Sequence, residues 1–358
     1  MKHRCTHISA VTNQQLHTNL QPRTSPRPNA DSQPHCTCNP LLSRRSALTL
    51  LGASSVAAIA SLAACSPHDS AASADAAQNQ NSSAPLVLTT FTVIQDMASR
   101  VAGEFCQVES ITKAGAEIHD YEPTPDDLKR AQKAQLILNN GLGLERWFER
   151  FVDDSPAQRA DLSEGITAIP IAEGDYQGQA NPHAWMSPAN GKIYVENIVR
   201  ALSNLVPDHA KDFEVNGDAY KKELDNISSH LIEELSTLPE SQRTLVTCEG
   251  AFSYLCRDTN MKELYLWAVN AADEGTPQQI AKVVEAVKAQ QIPAVFCEST
   301  VSPKAMQQVA DETGAVLKTD EKNILYVDSL SEADGPVPTY LDLLQHDADA
   351  IVSGLMGR

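Results

Sequence analysis

Basic residues are scarce in this chain. Its 358 residues include 28 Lys and Arg against 46 Asp and Glu, which gives a formal net charge of −18. Because binding to a phosphate backbone needs clustered cations, this shortage argues against a nucleic-acid partner. Aromatic residues are also few, at 5%, but apolar residues make up 42% and charged residues 21%. The composition therefore indicates a folded globular protein rather than a disordered one.

A long uninterrupted apolar run is also missing. The most apolar segment, residues 47–64, contains Ser and Gly and is marginal as a membrane-spanning helix. It follows Arg44-Arg45 and ends at Leu62-Ala63-Ala64-Cys65, which is the pattern of a bacterial lipoprotein signal. An uncleaved anchor is the alternative, and the export route, general secretory or twin-arginine, stays open. We expect an exported protein, anchored through lipidated Cys65 at the outer face of the cytoplasmic membrane or in the periplasm.

The charge distribution agrees with export. Residues 1–64 carry six basic residues and one acidic residue, and the remainder has 22 basic and 45 acidic residues, a net charge of −23. A basic leader before an acidic body is typical of exported proteins.

Strand and helix patterns alternate from residue 86 onward. Short strands that alternate with helices are typical of an α/β fold, in which mostly parallel sheets carry helices on both faces. A helix start is predicted at Thr124, with Pro125 in the first turn and Asp127 completing a capping box. The predicted strands cover residues 86–91, 107–112, 136–139, 166–171, 245–248, 264–268, 294–297 and 324–327.

A long amphipathic helix separates two groups of strands. It is predicted from about residue 208 to 238, because apolar residues recur there mostly at three- and four-residue steps. We therefore expect two similar α/β lobes joined by one rigid helix, with a ligand cleft between them. The predicted parts are a leader at 1–64, a flexible tether at 65–85, an N-terminal lobe at 86–206, an interlobe helix at 207–239 and a C-terminal lobe at 240–358.

Histidines and carboxylates fall at the expected mouth of this cleft. His119 and His183 lie in predicted loops of the first lobe, and Glu249, Glu298 and Asp328 each follow a predicted strand of the second. Taken singly, each His is explained as a solvated or capping residue, and each acid as a helix cap. Together, two imidazoles and two carboxylates in one cleft would suit a divalent cation.

Five segments give the chain a specific resemblance. It resembles the metal-binding lipoproteins and periplasmic proteins of ABC importers for manganese, iron and zinc, and is nearest to the manganese and chelated-iron branch. The resemblance runs from Leu86 to Gly354. The segments are HDYEPTP at 119–125, NGLGLERW at 140–147, NPHAWMSP at 181–188, EGAFSY at 249–254 and YVDSL at 326–330.

The resemblance implies four metal ligands, His119, His183, Glu249 and Asp328. Proteins of the zinc branch often carry a His at the position of Glu249 and a His-rich acidic loop, which this chain lacks near residues 117–180. Mn²⁺ or Fe²⁺ is therefore the expected cargo, although Zn²⁺ would also bind such a site. The resemblance further implies a monomer without catalytic activity, which hands its ion to a membrane permease driven by a cytosolic ATPase.

The same residues are compatible with other functions. A zinc importer subunit, a surface adhesin and a non-haem iron enzyme are the alternatives, the last because two His and one carboxylate also describe its triad. Glu298 is expected beside the site or as a helix cap, and Trp185 either packs over the site or is an ordinary buried aromatic residue. Each ligating imidazole should donate its other N–H to a fixed acceptor.

Four cysteines of the mature chain besides Cys65 can pair in three ways. Among these, Cys248 and Cys297 each directly precede a Glu at a strand end. A bridge between them is conceivable because their strands are expected to be neighbours.

Overall fold

The computed structural model describes residues 84–119, 121–152, 155–174, 176–269 and 275–357. The predicted leader and nearly all of the predicted tether lie outside these residues, so both stay predictions. Within the described ranges, no helix is both long enough and apolar enough to cross a membrane.

The N-terminal half is built around a four-stranded parallel sheet. Its elements are β1 (Leu86–Thr89), α1 (Thr92–Ala102), β2 (Gln107–Ser110), α2 (Pro125–Lys133), β3 (Leu136–Asn139), α3 (Arg146–Val152), β4 (Gln158–Asp161) and α4 (Pro188–Leu205), and the long helix α5 (Ala210–Ser236) follows them. The order of the strands is β2-β1-β3-β4. The predicted strands that begin at residues 86, 107 and 136 are confirmed, and the predicted capping box of Thr124 and Asp127 starts α2.

The fourth strand of this sheet differs from the prediction. A strand at residues 166–171 is wrong, because this segment turns back on the chain that follows it. The amide of Asn181 donates to the carbonyl of Ile169 at 2.8 Å, and Pro170 forms one isolated antiparallel bridge with Ala180. Proline cannot donate to a ladder, which limits this pairing. The true strand, β4, is polar and mostly exposed and so lacks an apolar signal.

The C-terminal half contains two pairs of parallel strands. Its elements are β5 (Thr244–Glu249), α6 (Ser253–Thr259), β6 (Lys262–Trp267), α7 (Pro277–Gln290), β7 (Ala294–Phe296), α8 (Lys304–Thr313), β8 (Val316–Lys318) and α9 (Tyr340–Leu355). The strands pair as β5-β6 and β7-β8. A disulfide with a Cα–Cα distance of 5.1 Å joins Cys248, the next-to-last residue of β5, to Cys297, the residue after β7. Cys106 and Cys256 are buried free thiols.

The predicted strand at residues 324–327 is also wrong. The amide of Leu325 donates to the carbonyl of Cys297 at 3.1 Å, but the next amide, that of Tyr326, donates to the Asp347 side chain at 2.9 Å. The segment therefore forms a single bridge instead of a ladder. The strand beside β7 is β8, which the sequence pattern did not indicate because it has three residues and begins with an exposed valine.

The predicted long helix is confirmed as α5 (Ala210–Ser236), whose 27 residues span about 40 Å. It packs against α1 and α4 of the N-terminal half and α9 of the C-terminal half. A Cβ atom on Gly217 would lie 2.5 Å from Val199 Cγ2, so glycine is what lets α5 approach α4 this closely. Side chains of all four helices share the largest hydrophobic core. The exact lobe boundaries stay a prediction.

Candidate metal site

Four polar side chains meet between the two halves. His119 and His183 come from the N-terminal half, Glu249 and Asp328 come from the C-terminal half, and one donor atom of each lies within 4.8 Å of the others. His119 Nε2 is 3.1 Å from His183 Nε2 and 3.3 Å from Glu249 Oε1. Asp328 Oδ1 is 3.9 Å from both imidazole nitrogens. These are the four residues that the resemblance implied as ligands.

The local structure explains why these side chains converge. Glu249 is the last residue of β5, and parallel strands present ligands at their carboxyl ends. His183 immediately precedes a short 3₁₀ turn at Ala184–Met186, and His119 lies in the loop between β2 and α2. Asp328 follows the segment whose amide at Tyr326 is held by α9.

Among the described residues of the site, His119 is the one nearest to solvent. The His119 side chain is 6% exposed, whereas those of His183, Glu249 and Asp328 are fully buried. A cavity of about 390 Å³ opens onto His119. Its remaining walls include Leu142, Trp147, Tyr176, Gln179 and Arg146, and the Arg146 guanidinium donates to Gln179 Oε1 at 2.5 Å.

His183 has the fixed acceptor that a ligating imidazole needs. Asn181 Oδ1 accepts from the backbone amide of His183 at 3.0 Å and lies 2.9 Å from His183 Nδ1. Because a backbone amide can only donate, this oxygen is an acceptor and the ring hydrogen lies on Nδ1. The lone pair of Nε2 then faces the other three side chains. The corresponding acceptor for His119 stays a prediction.

Hydrogen bonds behind the site hold the Asp328 carboxylate and the Glu249 backbone. Thr300 Oγ1 donates to Asp328 Oδ2 at 3.4 Å, and the Glu249 backbone amide donates to Glu298 Oε1 at 3.4 Å. Within the described residues, Asp328 Oδ1 is buried and makes no hydrogen bond. A buried carboxylate oxygen in that state carries a desolvation cost, which a bound cation would offset.

Trp185 and Glu298, which the sequence analysis placed near the site, lie next to the four candidate ligands. Trp185 is fully buried, its ring centroid is 5.2 Å from that of His183, and its Nε1 donates to the Val327 carbonyl at 3.0 Å. Glu298 is buried behind Glu249 and does not cap α8, so the helix-cap alternative is wrong. Both contact residues of the site or their direct neighbours.

The charges of the site depend on one another. Burial lowers the pKa of His183 to about 3, although the charge of Glu249 opposes it, and the positive charge of His119 acts in the same direction as burial. Burial would also lower the pKa of His119, but Glu249 and Asp328 outweigh it and raise that pKa to about 10. Burial, reinforced by Glu249, raises the pKa of Asp328 to about 8. In the metal-free site, His119 is therefore protonated at the position where a cation would bind.

Comparisons with known proteins identify the relatives of this chain. Residues 87–354 match the family described as ZnuA, zinc-uptake complex component A, periplasmic. The iron-binding protein YfeA of Yersinia pestis is 52% identical over 271 residues, which cover 75% of this chain and 85% of that protein. The manganese-binding lipoprotein MntA of Halalkalibacterium halodurans is 34% identical over 292 residues, 81% of this chain and 93% of that protein.

A solved structure agrees with these matches. The Mn-bound periplasmic metal binding protein from Candidatus Liberibacter asiaticus superimposes with a TM-score of 0.71 and 36% identity, covering 76% of this chain and 99% of that chain. The fold and these relatives define the class of substrate-binding proteins of metal-ion ABC transporters. Within that class, the chain belongs to the ZnuA family of periplasmic metal-binding proteins. The family resemblance and the α/β fold class predicted from the sequence are thus confirmed.

Proposed function

We propose that this protein captures Mn²⁺ or Fe²⁺ between its two halves and delivers the ion to a membrane permease powered by a cytosolic ATPase. The observation that carries the proposal is the convergence of His119, His183, Glu249 and Asp328, two from each half of the chain. Two carboxylates balance the charge of a divalent cation, and neutral imidazoles supply nitrogen donors. A site divided between two halves is weakened by small relative shifts, which provides a route for release.

The donor set favours Mn²⁺ or Fe²⁺ as the physiological cargo. Carboxylates that bind through one or both oxygens allow five or six donors, a number that suits these ions better than tetrahedral zinc. The names of two relatives, an iron-binding and a manganese-binding protein, support the same choice. Zn²⁺ remains a competitor, because nitrogen and oxygen sites generally bind it more tightly than Mn²⁺.

We further propose that the protein is not an enzyme. Four protein ligands leave little room for both oxygen and substrate, which a non-haem iron enzyme must bind at its metal. Turnover at an open coordination position would favour the enzyme alternative. Specific binding to a surface partner, measured in a binding assay, would favour an adhesin.

The remaining proposals concern location and assembly. We propose a monomer tethered to the membrane through lipidated Cys65, with the 86–206 and 240–358 lobes joined by the 207–239 helix. In exporting cells, the wild-type chain should incorporate labelled fatty acid and the Cys65→Ala variant should not. Absence of label from the wild-type chain would contradict lipid anchoring at this residue.

Metal competition tests the proposed site. Elemental analysis and chelator competition with Mn²⁺, Fe²⁺ and Zn²⁺ are performed on the wild-type chain, His119→Ala and Asp328→Ala. Each variant should bind Mn²⁺ more than about 100-fold less tightly, because even outer partners of metal ligands contribute 10- to 100-fold. His230→Ala and Asp349→Ala are matched controls, since this pair lies on exposed surfaces of α5 and α9. Wild-type affinity in both site variants would refute the assignment.

A further inference from the structure

The Asn181 side chain connects the two halves of the site. Its Oδ1 accepts both hydrogen bonds from His183, while its Nδ2 donates to the carbonyl of Gly250 at 2.7 Å and lies 3.2 Å from Ser253 Oγ. Gly250 directly follows Glu249 in the chain. One amide group thus contacts a candidate ligand of the N-terminal half and the backbone beside a candidate ligand of the C-terminal half.

The orientation of this amide follows from its partners. The backbone amide of His183 can only donate and the carbonyl of Gly250 can only accept, so oxygen and nitrogen are each fixed. Asn181 is 3% exposed, which shields both hydrogen bonds from water. Reversing the amide would place two donors and two acceptors face to face.

The backbone of Asn181 has its own link to the C-terminal half. Tyr254 OH donates to the Asn181 carbonyl at 2.7 Å and accepts from the Ile169 amide at 3.2 Å. The segment that carries His183 is therefore held at two points, one through the Asn181 side chain and one through its backbone.

We propose that Asn181 is a positioning residue. It couples His183 to the backbone beside Glu249 and so keeps these ligands of the two halves close together. The proposal rests on the proposed function, since the coupling acts on the captured cation. When the Nδ2 link is lost, His183 keeps its ring orientation but can move away from Glu249 more easily. The measurable consequence is faster metal release.

Asn181→Asp separates the two roles of this residue. The carboxylate keeps an acceptor for His183 but places its second oxygen against the Gly250 carbonyl in place of a donor. A carboxylate behind an imidazole raises its basicity and would by itself tighten metal binding. If Asn181 only orients His183, release becomes slower or stays unchanged. If the coupling holds, release of Mn²⁺ into excess chelator becomes about 10-fold faster, within the range seen for outer partners of metal ligands.

Asn197→Asp is the matched control. Asn197 is equally buried, and its Nδ2 donates to the carbonyls of Leu162 at 2.7 Å and Glu164 at 3.0 Å. The same chemical change thus occurs in the N-terminal half without a link to the site. It should lower thermal stability to a similar degree and leave the Mn²⁺ release rate within about twofold of wild type. Release rates of the variants and of the wild-type protein are measured at the same pH.

A second variant tests the coupling without touching the His183 ring or its acceptor. Tyr254→Phe removes the hydroxyl group that holds the Asn181 backbone and should speed release about 2- to 10-fold, as expected for one buried hydrogen bond. Unchanged or slower release in both Asn181→Asp and Tyr254→Phe would overturn the proposal. His183→Ala distinguishes that result from a wrong site. If it also binds Mn²⁺ normally, the proposed function itself fails.

Discussion

The backbone amide of Gly115 donates to Ser329 Oγ at 2.7 Å, and this bond joins the two halves of the protein beside the metal site. Ser329 directly follows Asp328, and Gly115 lies four residues before His119. The amide of Leu330 adds a second link by donating to Thr92 Oγ1 at 2.9 Å. The Gly115–Ser329 bond thus links the segment that carries His119 to the segment that carries Asp328.

Replacing Ser329 by Ala should weaken this junction. The Gly115 amide then retains only the more distant Leu330 carbonyl, at 3.3 Å, so the metal-free protein should lose about 1–2 kcal/mol of unfolding free energy. Urea unfolding measures this loss, and Mn²⁺ affinity should fall with it. Ser229→Ala, at an exposed position of α5, is the control and should change neither quantity. Equal behaviour of the two variants would contradict the role given to Ser329.

Mn²⁺ affinity should rise with pH. Burial lowers the pKa of His119, but Glu249 and Asp328 outweigh it and raise that pKa to about 10, while burial raises the pKa of Asp328 to about 8. At neutral pH the cation must therefore displace the protons of both groups. Each displaced proton makes the apparent affinity rise about tenfold per pH unit below the pKa of its group. Chelator competition between about pH 6 and pH 8, corrected for chelator protonation, measures the slope. A flat profile would contradict proton displacement at this site.

Removing the disulfide should destabilise the C-terminal half. The bridge between Cys248 and Cys297 closes a loop with a sequence separation of 49, which corresponds to about 4 kcal/mol in the chain-entropy model. The double variant Cys248→Ala/Cys297→Ala should therefore unfold at lower urea concentration. Cys256→Ala, which removes a buried free thiol, is the control for the loss of side-chain volume. A loss no larger than that of the control would contradict the prediction.

Gly217 should resist replacement although it lies inside a helix. Alanine is the better helix former by about 1 kcal/mol. The added Cβ, however, would lie 2.5 Å from Val199 Cγ2 on α4, and a β-branched side chain has little freedom to move. Gly217→Ala should therefore destabilise the protein in thermal unfolding. Combining it with Val199→Ala should recover part of the loss, and no recovery would show that the clash is not the cause.

The sequence predicted the fold class because most strands are short apolar runs between helical patterns, as at residues 136–139. The strand predictions were wrong where the polarity of a segment did not match its role in the sheet. The exposed strand β4 had no apolar signal. The apolar segment at 166–171, in which only Ile171 is buried, and the partly buried segment at 324–327 form no ladders. The helix α5 was clear because its apolar spacing persists over many turns.

The sequence pattern alone could not select the candidate ligands. Spacing alone did not distinguish Glu249 from Glu298, since both follow strands, and only the family resemblance made the choice. The structure shows the physical difference: Glu249 faces the imidazoles, while Glu298 accepts a hydrogen bond from the Glu249 backbone. Asn181 and Ser329 were not singled out by the sequence, although each is within two residues of a candidate ligand. Their contacts join residues 69 and 214 positions apart, which no local pattern reveals.

Anomalous diffraction at the manganese edge, from crystals grown with Mn²⁺, tests the central claim most directly. The account predicts one strong peak between the two halves, with His119 Nε2, His183 Nε2 and carboxylate oxygens of Glu249 and Asp328 at roughly 2.0–2.5 Å from it. A peak that touches fewer than three of these residues, or a site elsewhere on the chain with none here, would contradict it.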